Sequence, residues 1–219
     1  MLNNFSPNMI KTYQTCPKKF YYKYIEHVNV PLSARPFEKG KKIHALANYF
    51  LQGINISRIE SALTQSECEV WNCLLNNPFF QKECYKSEYQ LSCRLINSSS
   101  SVETVFWVGG RLDAVVHDFD EYYILDYKTG SIPKCPEYDA QTMIYLLSLD
   151  RFLKNYDSLS FVYIDLKNKN NYVIKFNQIL KLEYEKRLFE ICDKISKDTL
   201  YNPCDNCQYC EYSKLCGGK

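Results

Sequence analysis

Apolar side chains recur at helical spacing near the start of the chain, at Ile10, Tyr13, Cys16, Phe20 and Tyr24. Ser6-Pro7 just ahead reads as an N-cap followed by proline at the first helical position. Pro17 inside the pattern predicts a break or kink. Residues 32–36 read as a loop. Gly40 then opens a helix with Ile43, Ala47, Phe50 and Leu51 on one face, and residues 58–76 form another, closed by Asn76-Asn77-Pro78. From Tyr85 the period changes to two. Strands are expected over 85–96, 102–117 and 122–128, joined by polar turns at 97–101 and 118–121. Gly109-Gly110 suggests a bulge in the second strand. A helix over 138–154, strands over 160–166 and 172–176, and a helix from Asn177 to about Lys197 complete the pattern. Together these predict an α/β fold with a mixed central sheet of about five strands flanked by helices.

The chain has 219 residues, 46% hydrophobic and 24% charged. That is long enough to bury a sizeable core and excludes disorder, collagen and coiled-coil arrays. It is read as one domain over residues 1–219. The net charge is only +2, but residues 1–44 carry +6 and the remainder −4. A basic leading segment over a mildly acidic body suits a polyanion; a solvated helix face would look the same. Residues 1–20 contain no continuous apolar region of the signal-peptide kind, and no apolar stretch approaches membrane-spanning length. A cytoplasmic protein with no membrane partner is expected. In that compartment eleven cysteines, an odd number, point away from a disulfide framework and towards metal or cluster ligation.

Two clusters carry candidate chemistry. If the hairpin turn between the second and third strands is centred between Phe119 and Asp120, Asp113 faces Asp126. Lys128 then projects from the same side of its strand as Asp126. Facing carboxylates repel unless a cation lies between them, and oxygen ligands at that separation suit Mg²⁺ or Mn²⁺. A lysine beside such a cation could steady an attacking water and counter charge on a phosphate. From spacing alone, a simple Asp–Lys salt bridge serves equally well. The second cluster is Cys204, Cys207, Cys210 and Cys216. Its short intervals let several sulfurs reach one centre, either Zn²⁺ or an iron–sulfur cluster. The six scattered cysteines read as small core residues, and His27 and His117 as surface or boundary residues.

Gly110-Arg111-Leu112-Asp113 followed by Ile124-Leu125-Asp126-Tyr127-Lys128-Thr129-Gly130 resembles the core signature of RecB-like nucleases of the PD-(D/E)XK superfamily. Three further landmarks occur in order: Gly40-Lys-Lys-Ile-His44, Gln141-Thr-Met-Ile-Tyr145 and Tyr13-Gln-Thr-Cys16-Pro17-Lys-Lys-Phe20. The last is similar to the N-terminal element of members that carry an iron–sulfur cluster. The size and the cysteine pattern resemble CRISPR-associated exonucleases of the "Cas four" type.

The resemblance implies a restriction-endonuclease-like core over residues 40–198. It adds a helical iron–sulfur cap from residues 1–30 and 200–219. It makes His44, Asp113, Asp126 and the Tyr127 carbonyl metal ligands for Mg²⁺ or Mn²⁺, and Lys128 the catalytic lysine beside Asp113 and Asp126. Gln141 and Tyr145 would line the substrate groove, and Glu88 matches a position that is often acidic. Cys16, Cys207, Cys210 and Cys216 would hold a 4Fe–4S cluster with Cys204 surplus; a zinc site would instead use Cys204 and release Cys16. The implied activity is metal-dependent DNA hydrolysis at free ends, single-stranded ones included, in CRISPR spacer processing or in recombination and repair. CRISPR adaptation proteins or a helicase are the implied partners. The rival reading is a non-catalytic DNA-binding subunit stabilised by an iron–sulfur cluster or zinc.

Overall fold

The computed structural model describes residues 2–30, 38–97, 104–204, 207 and 210–216. The expected loop at 32–36, most of the turn at 97–101 and the first residues of the second long strand lie outside the described residues.

The chain opens with a short strand β1 (Asn4–Phe5) and helix α1 (Pro7–Thr15). The Ser6 side chain accepts from the Met9 N–H, which is the cap the sequence calls for. Pro17 ends α1 as expected, because proline cannot donate into the helix ladder. Cys16 takes an extended conformation, and α2 (Pro17–Phe20) restarts and runs on as a π-turn over Tyr21–Ile25. Helices α3 (Glu38–Leu51), α4 (Ser57–Glu60) and α5 (Gln65–Leu75) follow. The expected single helix over 58–76 is therefore two. Thr64 starts the second with a reciprocal capping box to Glu67.

Two long strands, β2 (Glu83–Asn97) and β3 (Thr104–Asp118), lead into β4 (Glu121–Lys128). A 3₁₀ turn at Pro136–Tyr138 precedes α6 (Ala140–Phe152). Then come β5 (Ser158–Asp165), β6 (Asn170–Lys175), α7 (Gln178–Lys197) and α8 (Ser213–Cys216). Asn177 caps α7 as the sequence predicts.

The six strands form one mixed sheet in the order β1-β3-β4-β5-β6, with β2 along the other edge of β3. Strands β1/β3 and β4/β5 are parallel; β2/β3, β3/β4 and β5/β6 are antiparallel. Helix α6 is the crossover between the parallel pair β4 and β5, as such pairs require. The register shift in β2/β3 falls between Cys84 and Lys86, not at Gly109-Gly110, where pairing runs on unbroken. Gly109 is required there for a different reason. A Cβ on it would stand 2.6 Å from the Leu91 carbonyl oxygen of β2.

One face of the sheet packs Leu112, Val115, Ile124, Phe161 and Tyr163 against α1, α6 and α7. The other packs Ala114, Val116, Leu125, Tyr127, Val162 and Ile164 against α3 and α5. Residues 124–127 of β4 are all buried, as expected for a strand covered on both faces. No described helix is long and apolar enough to cross a membrane.

The two ends of the chain meet, and the iron–sulfur cap expected there needs correction. Tyr13 Oη donates to Asp198 at 2.7 Å, Lys19 pairs with Glu211 at 2.8 Å, and Tyr212 Oη donates to the Val28 carbonyl at 3.1 Å. The rings of Tyr22 and Tyr212 stack at 5.6 Å. Aromatic packing and hydrogen bonds thus join the termini where thiolate ligation was expected.

Replacing Tyr13 by Phe should cost about 1 kcal/mol in denaturant unfolding at neutral pH, the ordinary worth of one such bond. Burial works against the Asp198 carboxylate, but bonds from Tyr13 and the Tyr201 and Leu200 amides hold its pKa below the usual range. Stability drawn from a depressed carboxylate is lost as pH falls through its folded pKa. The gap between wild type and Tyr13→Phe should therefore close as pH drops below about 4. A gap that widens in acid would show that the bond contributes nothing through Asp198.

Candidate metal and phosphate site

The site lies where β3 and β4 part. The two strands pair from Asp118↔Glu121 to Ala114↔Leu125. One step further, Asp113 would face Asp126 as the sequence suggests, but the ladder stops short of that pair. Asp113 Oδ2 instead accepts the Tyr127 N–H at 3.1 Å. The fork keeps the two carboxylates from standing directly opposed, and it opens a cleft of about 920 Å³ against α3.

His44 reaches into the fork from α3. Its Nε2 lies 2.9 Å from the Tyr127 carbonyl oxygen and its Nδ1 lies 3.2 Å from Asp113 Oδ1. Burial opposes an imidazolium there. Asp113 and Asp126 outweigh it, so the His44 pKa is raised. Glu88 arrives from β2, between the paired residues Ser87↔Ala114 and Tyr89↔Leu112, level with Asp113. Its φ of +46° is left-handed, a conformation that costs a non-glycine residue about 1 kcal/mol. Burial raises the Glu88 carboxyl, the Asp113 charge adds to this, and Arg111 opposes it. Arg111 Nε sits 2.7 Å from Glu88 Oε2.

Asp126 lies on the other side of β4, almost completely buried. Its Oδ2 is 2.7 Å from Lys128 Nζ, and its Oδ1 accepts from Gln141 Nε2 of α6. Burial, then the neighbouring Asp113, raises its pKa, while Lys128 pulls it down. Three carboxylates thus converge, each with its own cation: His44 on Asp113, Arg111 on Glu88 and Lys128 on Asp126.

His44, Glu88 and Asp113 each offer a ligand atom within 4.8 Å of the others. One imidazole and two carboxylates beside a backbone carbonyl form a donor set that fits a divalent cation with a taste for oxygen. Of the expected ligands, the structure brings His44, Asp113 and the Tyr127 carbonyl together and adds Glu88. Asp126 sits behind, held by Lys128 and Gln141. Tyr145 is buried beneath β3, where its hydroxyl donates to the Arg111 carbonyl at 2.8 Å, and it does not line the cleft. Arg111 was visible in the motif but received no role. Its pairing with Glu88 depends on two separate strands and leaves no trace in local spacing.

The cysteine expectation is corrected. Among the described residues, the one set of three or more His, Cys, Asp or Glu side chains with mutually close ligand atoms is His44, Glu88 and Asp113. Cys16, Cys204, Cys207, Cys210 and Cys216 do line a common cavity of about 190 Å³, but they do not form such a set. Of these, Cys16 also meets Cys204 from the other end of the chain. Cys16 Sγ accepts from the Lys19 N–H at the start of α2, and Cys207 Sγ donates to the Cys204 carbonyl. The 4Fe–4S cluster, the alternative zinc site and the likeness to the CRISPR-associated type that depended on the cysteines are withdrawn with this finding.

The triad makes a measurable prediction. A ligand at a hundred times its Kd stabilises by about 2.7 kcal/mol, roughly 5–10 °C in Tm for a chain of this size. Mn²⁺ should raise the Tm of the wild type by that order, and Asp113→Asn or His44→Ala should abolish the rise. An equal rise in the variants would place the cation elsewhere.

A comparison with curated proteins finds no match. Solved structures similar to the chain include the following two. One, of a "Putative exonuclease" from Eubacterium rectale, has a TM-score of 0.58 at 10% identity, covering 96% of this chain and 88% of that one. The other, of SSO0001, has a TM-score of 0.47 at 18% identity, covering 99% of this chain and 86% of that one. The sequence model of the PD-(D/E)XK nuclease superfamily matches residues 4–217. With that match over nearly its whole length, the chain belongs to the PD-(D/E)XK nuclease superfamily.

Proposed function

We propose that the chain is a divalent-metal-dependent deoxyribonuclease that hydrolyses phosphodiester bonds at DNA ends. The observation that carries this is the convergence in one cleft of the His44–Glu88–Asp113 set with Lys128. The superfamily is a nuclease superfamily, which supports DNA as the substrate. The fold neighbour described as an exonuclease supports action at ends.

His44, Glu88 and Asp113 would hold Mg²⁺ or Mn²⁺ beside the Tyr127 carbonyl. Such a cation supplies charge to a phosphoryl oxygen and lowers the pKa of a nearby water. Lys128 does the rest of the electrostatic work. Lys128 lines the cleft at the end of β4, where its ammonium could counter the negative charge that grows on phosphorus oxygens. Asp126 fixes that ammonium from behind, and Gln141 fixes Asp126. Lys128 therefore meets the phosphate already oriented, without the cost of ordering a free lysine at that moment. The lysines of the leading helices add sequence-independent attraction for the DNA backbone.

End-labelled single- and double-stranded DNA, incubated with Mg²⁺, Mn²⁺ or EDTA, tests the reading. The wild type should cut with Mg²⁺ or Mn²⁺ and not with EDTA. Lys128→Ala should lose at least a hundredfold in rate while remaining folded, with a lowered Tm because Asp126 loses its cation. A folded wild type that binds DNA but cuts under no condition would overturn the enzyme in favour of a binding subunit. Cutting that survives Lys128→Ala would remove the lysine from the chemistry.

A further inference from the structure

Beside the triad the cleft presents two side chains that its metal chemistry does not require. Tyr49 lies on α3, five residues beyond His44, with 40% of its surface exposed in the cleft. Arg111, on β3, lines the same cleft. It uses Nε for Glu88, and its side chain remains 68% exposed. The two Nη groups are thus available to a second acceptor. Guanidinium suits phosphate through paired N–H donors, and an aromatic face suits a base of any identity.

The settings of these two residues argue against chance exposure. A tyrosine usually hides its ring or anchors its hydroxyl. Phe50, the next residue on α3, is 44% exposed yet still packs its ring against Trp71 and Phe80. Arg111 is held in place at its backbone, where its carbonyl accepts from the buried Tyr145. Gly110 beside it has no room for a Cβ, which would stand 2.9 Å from that tyrosine's hydroxyl. The strand is therefore anchored from below while the guanidinium projects into the cleft. Glu88 steers it without enclosing it.

We infer that Tyr49 and Arg111 hold one nucleotide of an unpaired strand beside the triad, the ring stacking on the base and the guanidinium gripping a phosphate. This rests on the nuclease reading above. A base stacked on Tyr49 must be out of a duplex, so the pair selects frayed or single-stranded ends. Neither residue takes part in bond breaking. Their loss weakens substrate binding first, and the turnover of saturated enzyme less.

The test measures binding apart from cutting. A single-stranded oligonucleotide carrying 2-aminopurine at its terminal nucleotide is titrated in Ca²⁺ and, separately, in EDTA. Stacking on Tyr49 should quench the 2-aminopurine. Tyr49→Ala should lose the quench and raise Kd about tenfold, and Tyr49→Phe should restore both. Arg111→Ala should raise Kd by a similar factor in both buffers. It should also flatten the dependence of log K on log salt by about 0.7, the value of one phosphate on a single strand. In cutting assays with Mn²⁺ both alanine variants should raise KM more than they lower kcat. Phe119→Ala, at the far tip of the β3–β4 hairpin, should change nothing. If the wild type binds and cuts while Tyr49→Ala and Arg111→Ala keep its Kd, quench and salt slope, the inference fails and the nuclease reading stands. Variants that lose binding only in step with a lowered Tm would also overturn it, as a structural effect. A folded wild type that neither binds nor cuts takes both readings down.

Discussion

Like charge confined in a small space governs this molecule. Glu88, Asp113 and Asp126 come from three adjacent strands and meet around one fork. Carboxylates placed so close would raise one another's pKa and push the strands apart. The fold answers locally, with one cation for each acid. The three cations also differ in kind. Arg111 is held outward by a guanidinium bond, Lys128 lies along the cleft wall, and His44 is the imidazole whose charge depends on the acids around it. A divalent cation among the same oxygens would replace part of this arrangement, and the His44–Glu88–Asp113 set is able to take one.

The fork explains why so much packing is devoted to so few residues. Once β3 and β4 part, the backbone groups of residues 109–113 lose a ladder partner on that edge and need other ones. Tyr145 supplies one to the Arg111 carbonyl, and Tyr127 gives its N–H to Asp113 and its carbonyl to His44. The helices that provide these contacts are fixed by the two cores. Helix α6 is buried over nearly its whole length and cannot shift without disturbing β3, β4 and β5 together. Helix α3 is pinned by Ile43, Leu46 and Ala47, all fully buried, so His44 between them has little freedom. Stability and function are thus drawn from the same contacts.

Much of this was legible in the chain. The turn centre between Phe119 and Asp120 predicted the β3/β4 register, and Ala114↔Leu125 lies on it. Asn177, Ser6 and Pro17 mark element ends because their chemistry is local: a side-chain acceptor or a missing N–H acts within three residues. What escaped was non-local. Nothing in residues 104–128 announces that the ladder stops at Ala114, because the stop is imposed by α3 and α6 from either side. The division of residues 57–75 into two helices turns on Thr64 and Glu67, whose reciprocal bonds start a new helix inside a continuous apolar period. The cysteine spacing suggested a shared ligand site, yet spacing reports only how close thiols can come. Among the contacts that join the termini are Tyr13–Asp198, Lys19–Glu211 and the Tyr22–Tyr212 stack, whose partners lie nearly the full chain apart.

The strained φ at Glu88 ties these strands of argument together. Between paired residues of a regular antiparallel ladder, a left-handed residue is unfavourable and has to be imposed by its neighbours. The register shift at Cys84–Lys86 lies three residues upstream, so β2 reaches Glu88 already out of step with a regular pleat. The result is a carboxylate turned towards Asp113 and His44, where burial and like charge both disfavour it. Arg111 compensates from outside, and the compensation holds a guanidinium beside the same cleft. A glutamate placed for stability alone would have relaxed into the ladder. Its persistence in an unfavourable conformation, beside two other acids, is the local cost of bringing three carboxylates together from separate strands.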